Sequence, residues 1–348
     1  MKVLLTGSLG FIGQAIAAQL RERGDEVVGV DAVIPQAHSG EPGQPGGDVH
    51  RLDVREALDW VDLLRGVDVV CHQAAMVGAG VTVADLPLYA GHNDLGTAAL
   101  LAAMAEAGVA SLVLASSMVV YGEGRYRCPE HGHQVPGARP REDLRSGKFD
   151  NACTACDRPL QWELVPEDAR LDPRSSYAVS KVAQEQYSAA WARQSEGRVI
   201  ALRYHNVYGP HMPRDTPYSG VAAIFRSALE QGEPPKVFED GGQMRDFVHV
   251  SDVARANVLS IDAVRGREPG ASAAYNVCSG RPVSIADVAG FLARGAGPEP
   301  VVTGDFRIGD VRHIVASPAK AADELGFRAE VEPETGLAEF ATAPLRGS

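Results

Sequence analysis

The 348-residue chain is short of positive charge: 33 Lys and Arg stand against 45 Asp and Glu, a net of −12 with His neutral. That balance excludes a nucleic-acid or anionic-membrane partner held by bulk electrostatics, although a local cluster of arginines can still hold a small anion. No apolar run approaches the roughly 18–20 residues of a membrane span. Nor does the start resemble a secretory signal. Met1-Lys2-Val3-Leu4-Leu5-Thr6-Gly7 breaks into a glycine turn after one short run, where a signal needs an apolar core of about 7–15 residues. These absences predict a cytoplasmic protein. Internal repeats are lacking. Cysteine is scarce, at five residues, yet Cys128, Cys153 and Cys156 crowd one loop-like segment. In a reducing compartment that clustering points to metal before disulfide. With 45% hydrophobic and 22% charged residues, disorder, collagen-like repeats and coiled coil are excluded as the main architecture.

What is present is a rhythm. Residues 2–5 predict a strand, Gly7, Gly10 and Gly13 a turn, and Ala15 to Leu20 a helix. Glu26 to Val30 is a second strand, ending at Asp31. Residues 35–47, rich in Pro and Gly, read as loop, and a short strand precedes Asp53. A helix over 56–64, a strand over 68–71, a long helix over 86–107 and a strand from Ser111 to Ala115, ending at Ser116-Ser117, continue the alternation. Such a pattern specifies an α/β fold, a doubly wound parallel sheet with helices on both faces. It breaks at Tyr121. Residues 124–172 read as an insertion. A helix over 175–194 and a strand over 198–203 resume the rhythm, and the pattern after Tyr208-Gly209-Pro210 is more mixed, suggesting a smaller C-terminal lobe.

Two constellations carry chemistry. Gly7-x-x-Gly10-x-x-Gly13 between strand and helix lets a pyrophosphate approach the backbone at a helix N-terminus. Asp31, 18 residues on, suits the hydroxyls of an adenosine ribose and would repel a 2′-phosphate. No Arg lies within 32–38 to accommodate one, so the pattern favours NAD over NADP. Tyr177 and Lys181 stand at i, i+4 on one helical face. A free tyrosine, with a pKa near 10, is a poor base at neutral pH; a nearby ammonium and a cationic nicotinamide would have to lower it by about three units. Ser117, at a strand end facing the same cleft, is placed to hydrogen-bond the reacting oxygen. The bland alternatives are a solvated strand-end Asp and an exposed Tyr–Lys pair.

Taken in order, Thr6-Gly7-Ser8-Leu9-Gly10-Phe11-Ile12-Gly13, Asp31, Asn93-x-x-Gly96-Thr97, Ser116-Ser117, Tyr177-x-x-x-Lys181, Arg203-Tyr204-x-Asn206-Val207-Tyr208-Gly209-Pro210, Arg245-Asp246-Phe247-Val248-His249-Val250-x-Asp252-Val253, Tyr275-Asn276-Val277 and Arg307-x-Gly309-Asp310 resemble the extended short-chain dehydrogenase/reductases. The resemblance runs from residue 2 to about 327 and is to the nucleotide-sugar epimerase/dehydratase branch. It implies a Rossmann-type NAD-binding domain over 1–203, interrupted by the insertion, and a smaller nucleotide-sugar lobe over 204–348, with segments around 245–262 returning to the first domain. By matching position it implies Ser117, Tyr177 and Lys181 as the catalytic set. NAD would meet Gly7, Gly10, Phe11, Ile12, Gly13, Asp31, Asp53 (near the adenine), Val54, Ala74, Ala75, Asn93, Tyr177 and Lys181. The nucleoside-diphosphate sugar would meet Ser117, Asn206, Val221, Phe238 (a base-stacking position, or a core aromatic), Arg245, Arg307 and Asp310. For the arginines, whose forked donors suit phosphate, the alternative is surface salt bridges. The 86–107 and 175–194 helices resemble the pair that forms the homodimer interface in this family.

Within the branch, dehydratases carry an Asp-Glu pair just after the catalytic Ser or Thr, decarboxylases a Glu, and epimerase-reductases a Cys. Met118 and Val119 stand there in this chain and can neither donate nor accept a proton. A 4-epimerase needs only the Tyr, the Ser and the NAD. Hydride leaves C4, a 4-keto sugar turns in the site, and hydride returns to the other face. A one-way 4-ketohexose reductase with the same triad is the rival, with a UDP-hexose or UDP-uronate 4-epimerase as a further alternative. A non-catalytic NAD-binding regulator with a zinc interaction module is the reading from another class.

Ser117 and Tyr177 lie 60 positions apart, more than twice the family's usual separation. The extra segment contains Cys128-x2-His131 and Cys153-x2-Cys156, the spacing of two zinc knuckles and of a structural Cys₃His site. His133 is the alternative fourth ligand, and free or redox-active thiols, with Cys153–Cys156 as the pair, the alternative chemistry. Residues 124–170 carry eight basic and eight acidic side chains, so a nucleic-acid-binding ribbon is not expected. The insertion, with Pro217-Tyr218-Ser219-Gly220-Val221-Ala222-Ala223-Ile224-Phe225, resembles the subgroup described as dTDP-L-rhamnose 4-epimerases, which leans the substrate toward a dTDP-6-deoxyhexose such as dTDP-L-rhamnose. Cys71 and Cys278 sit in apolar runs and read as core.

Overall fold

The computed structural model describes residues 1–34, 49–78, 83–214, 220–294 and 297–346. The Pro/Gly-rich loop expected over 35–47, and Pro217-Tyr218-Ser219 of the 217–225 motif, lie outside the described residues.

Among the described residues seven strands form the central sheet: β1 (Lys2–Thr6), β2 (Glu26–Asp31), β3 (Val49–Arg51), β4 (Val69–His72), β5 (Ser111–Ser117), β6 (Arg198–Tyr204) and β7 (Ser272–Val277). Their spatial order is 3-2-1-4-5-6-7, and every pairing is parallel. Parallel strands need crossovers, and these are the helices the alternation predicts. The longer strands divide their apolar residues between two cores, because successive side chains point to opposite faces. Val3, Leu5, Cys71, Val113 and Leu202 pack with α1 (Phe11–Glu22) and α4 (Val250–Arg265). Leu4, Val70, Leu112 and Ala201 pack with the 54–64 segment, α2 (Gly96–Ala107) and Trp191 of α3 (Ser176–Ser195). Cys71 and Cys278 are both buried.

Three elements differ from expectation. The long 86–107 helix starts as Leu86–Tyr89, widens into a π-helical stretch over Ala90–Leu95 and only then becomes α2. Residues 54–64 form tight 3₁₀ turns kinked at Glu56 and Trp60 rather than one α-helix. The sheet also draws its edge strand, β7, from beyond the 245–262 segment expected to return.

The smaller lobe has its own core of Phe225, Leu229, Val237, Phe247, Val288, Leu292, Leu337 and Phe340. The insertion folds as a three-stranded antiparallel sheet, with Arg125–Cys128 between Gly132–Gln134 and Gln161–Glu163. Among the described residues no helix is long and apolar enough to cross a membrane.

Candidate functional site

β1 and β4 are neighbours where the strand order reverses, and the crevice beyond the carboxyl ends of such strands is where open α/β sheets bind ligands. A cavity of about 380 Å³ lies there, lined by Gly7, Gly10, Phe11, Ile12, Gly13, Asp31, Asp53, Val54, Ala74, Ala75, Tyr177 and Lys181. Gly7 has φ +65, and a Cβ on it would sit 2.7 Å from the Ala74 nitrogen; one on Gly13 would sit 2.1 Å from the Gly7 oxygen. Side chains at either position would fill the cradle. Gly10 donates its N–H to the Gly7 oxygen at 3.0 Å. Among the described residues no side chain caps α1, so its first N–H groups, at the positive end of the helix dipole, open onto the cavity. These residues fit the pyrophosphate of a dinucleotide.

Asp31 ends β2 on the same cavity. Its carboxylate accepts hydrogen bonds from Leu9 N at 3.0 Å and Val33 N at 2.9 Å, which fix its orientation. Asp53 accepts from Arg55 N at 2.9 Å and Arg55 Nη2 at 2.6 Å. Burial raises its pKa, but the bonds and charge of Arg55 outweigh this and hold the carboxyl below its usual range. Asn93 does not line the cavity. Its amide exchanges hydrogen bonds with the Met76 backbone at 2.7 and 2.9 Å and donates to Ser180 Oγ at 2.8 Å, so it fixes the 74–77 wall from behind.

Sequence reasoning missed Arg346. Its guanidinium reaches the cavity, donates to the Leu9 carbonyl and lies near enough to Asp31 to feel its charge. A search for arginine near Asp31 in sequence could not find it. The Arg346 N–H donates to Met212 O at 3.0 Å, and that backbone pairing delivers it.

Ser117 closes β5, and Tyr177 lies in the first turn of α3, whose N-cap Ser175 accepts from Ala178 N at 3.1 Å. Ser117 lies close enough to Tyr177 for its hydroxyl to favour the phenolate. Lys181 Nζ lies 5.8 Å from the Tyr177 ring centroid and donates to Ala115 O at 2.8 Å. Burial dominates both titrations. It pushes Tyr177 up to about 12 against the opposing pull of the Ser117 hydroxyl, and pulls Lys181 down to about 7 against the charge of Glu185. The expected acidification of the phenol by Lys181 and a cationic nicotinamide concerns the loaded site; within the protein alone desolvation prevails. Behind the trio, Glu185 binds Arg203 through two bonds of 2.8 and 2.9 Å, and Arg203 donates to the Tyr121 hydroxyl at 2.8 Å. This buried pair ties α3 to the sheet.

On the lobe side, Asn206 Nδ2 donates to Asp246 O at 2.9 Å and lies 3.6 Å from Met118 Sδ. The Arg245 guanidinium is held by backbone carbonyls of Met244 and Arg312, both at 2.9 Å, and Val311 at 2.6 Å. Arg307 stacks over the Phe238 ring at 5.2 Å. Burial raises the Asp310 pKa, opposed by the charges of Arg307 and Arg245. Arg245, Arg307, Asp310 and Phe238 thus form one cluster. Val221 opens the helix Val221–Glu230.

In the insertion, ligand atoms of Cys128, His131, Cys153 and Cys156 lie within 4.8 Å of one another. Cys128 Sγ is 3.4 Å from His131 Nδ1 and 3.7 Å from Cys156 Sγ, and Cys153 Sγ is 3.5 Å from His131 Nδ1. Tetrahedral zinc, with bonds of about 2.3 Å to sulfur and 2.0–2.1 Å to nitrogen, requires edges of about 3.6–3.8 Å, so the donors fit the ion. All four cysteine and histidine donors are in place without His133, which instead lies 3.2 Å from Glu163 and contacts Arg125 and Arg127.

The chain matches the NAD dependent epimerase/dehydratase family over residues 3–144 and 153–278, and it belongs to that family. It is 33% identical to the dTDP-L-rhamnose 4-epimerase of Burkholderia thailandensis, over 98% of this chain and 94% of that one. It is 30% identical to the UDP-glucose 4-epimerase of Mycolicibacterium smegmatis, over 97% of each. Among solved structures, the UDP-glucose 4-epimerase of Thermus thermophilus in complex with NAD superposes with a TM-score of 0.76 at 31% identity, covering 98% of both chains.

Proposed function

We propose that this protein is a cytoplasmic, NAD-dependent 4-epimerase of a nucleoside-diphosphate sugar, with a dTDP-6-deoxyhexose such as dTDP-L-rhamnose as the favoured substrate. The observation that carries the reaction is the Tyr177–Lys181 pair on the wall of the glycine-cradled cavity, with Ser117 beside Tyr177 and only Met118 and Val119 where related reactions need an acid or a thiol. The dTDP-sugar preference rests on the Burkholderia relative. UDP-hexoses are the second choice, on the strength of the UDP-glucose 4-epimerases.

NAD, held by residues 1–203, would supply a hydride acceptor and donor, with positive charge in its oxidised ring. The glycine turn and the α1 N-terminus bind its pyrophosphate, and Asp31 its ribose. Tyr177 takes the proton of the substrate's 4-hydroxyl and later returns one. Ser117 hydrogen-bonds the same oxygen. Lys181 places positive charge beside the phenol. Arg245, Arg307 and Asn206 hold the diphosphate end while Phe238 and Asp310 meet the nucleoside, so the sugar is free to turn.

The insertion would hold one structural zinc through Cys128, His131, Cys153 and Cys156, since four protein ligands leave no open position. The protein would be a homodimer through the 86–107 and 175–194 helices. Purified holoprotein, given UDP-, dTDP- and GDP-sugars without added cofactor, should interconvert C4 epimers of one series. A requirement for added reduced cofactor, with turnover in one direction only, would instead identify a 4-ketohexose reductase.

A further inference from the structure

The insertion reaches well beyond its own sheet. Glu123, just before it, accepts from Arg312 N at 2.7 Å and from Asn151 Nδ2 at 2.7 Å. The Tyr126 hydroxyl, buried between the two units, accepts from His313 N at 2.9 Å. Asp150 Oδ1 accepts from Arg312 Nε at 2.8 Å. Segment 310–316 is therefore bolted to the insertion on one side. On the other, it supplies the Val311 and Arg312 carbonyls that hold the Arg245 guanidinium.

Arg139 makes the deepest of these attachments. Its side chain is 5% exposed and pairs with Glu239, itself 2% exposed, at 2.8 and 3.0 Å. The same guanidinium donates to Phe149 O and Asp310 O, both at 2.8 Å. Arg312 Nη1 donates to Glu239 from another direction at 2.9 Å. Glu239 also has φ +53, a left-handed conformation unfavourable for a residue with a Cβ. Such strain persists only where the surroundings over-determine it, and here two buried guanidinium groups do so. Glu239 follows Phe238 directly, and its N–H donates to Asp305 O at 2.7 Å, two residues before Arg307. The strained residue is thus the joint that sets Phe238 against Arg307.

We infer that the insertion positions the nucleotide end of the substrate site, and that Arg139 is the positioning residue through which it acts on Phe238, Arg307 and Asp310. The inference rests on the nucleotide-sugar reading of the lobe. It assigns the insertion a part in substrate affinity and none in hydride transfer. Arg139 touches neither the cavity nor the Ser117–Tyr177–Lys181 group, so its loss should leave the dinucleotide in place.

The test uses NAD-loaded full-length protein and dTDP, UDP and GDP as calorimetric probes. The nucleoside diphosphate that binds the wild type should bind Arg139→Ala at least tenfold more weakly. KM for the nucleotide sugar should rise in proportion, while kcat changes less than threefold and bound NAD and metal stay at wild-type levels. Arg139→Lys keeps the charge but loses the fork that serves Glu239 and two carbonyls together; it should fall between the two, and it serves as the test if Arg139→Ala does not fold. Wild-type affinity in a folded Arg139 variant, or a loss confined to kcat, would overturn the inference. Failure of the wild type to bind any of the three probes would instead count against the nucleotide-sugar reading itself.

Discussion

Burial raises the Tyr177 phenol to about 12 and lowers Lys181 to about 7, and that places their chemistry under the control of whatever binds beside them. In the proposed reaction the base is phenolate, so turnover should rise with pH through the apparent pKa of the loaded site. Since the protein alone holds the phenol at about 12, positive charge must bring that limb down. Tyr177→Phe should abolish C4 epimerisation with NAD still bound, as read by product analysis and cofactor absorbance. Lys181→Met should move the rising limb to higher pH, each unit of movement lowering the neutral-pH rate about tenfold. The same change should stabilise cofactor-free protein. The folded-state pKa of Lys181, about 7, lies below its ordinary 10.5, so between these values the unfolded chain binds the extra proton and stability rises with pH. Lys181→Met removes that dependence, and its gain in Tm should be larger at pH 7 than at pH 10. The identities of these residues were legible in the sequence because the motif is local. Their ionisation was not, because burial belongs to the tertiary structure.

The β1–α1 turn was readable for a similar reason: three glycines at fixed spacing have few other uses between a strand and a helix. Gly13→Ala tests it. A methyl placed 2.1 Å from the backbone oxygen of Gly7 cannot be relieved by a side-chain rotation. The variant should be purified without NAD and with a Tm several degrees lower. The insertion was legible only as a cluster of ligands. Its strands are three or four residues long, too short for an alternating pattern to register, and they are packed against the 310–316 segment. Metal analysis should find one zinc per chain. Chelation should raise hydrogen exchange over 125–163 while leaving β5 protected; an unchanged exchange pattern would remove the metal from the structural account.

The parallel sheet and its two cores followed from hydrophobic rhythm alone. Pairings between distant parts of the chain did not: β7 joins the sheet edge from 272–277, and Arg346 meets a turn at residue 9. No local periodicity records such contacts. Across the outer side of the 86–107 and 175–194 helices, Leu86, Leu95, Val179 and Tyr187 are each about half exposed, an apolar set suited to a second copy of the chain. Tyr187→Glu should shift light scattering from dimer to monomer; a wild type already monomeric at micromolar concentration would refute the assembly.

The C-terminal stretch has a consequence for how the enzyme ages. Arg346 is delivered to the dinucleotide turn by pairing with residues 211–213, while Leu345 is anchored in the lobe core. Arg346 therefore reaches the dinucleotide turn from the side of the 211–213 segment. Arg346→Ala should leave the sheet intact yet let NAD leak away during dialysis, turning a self-sufficient catalyst into one that must be fed its oxidant.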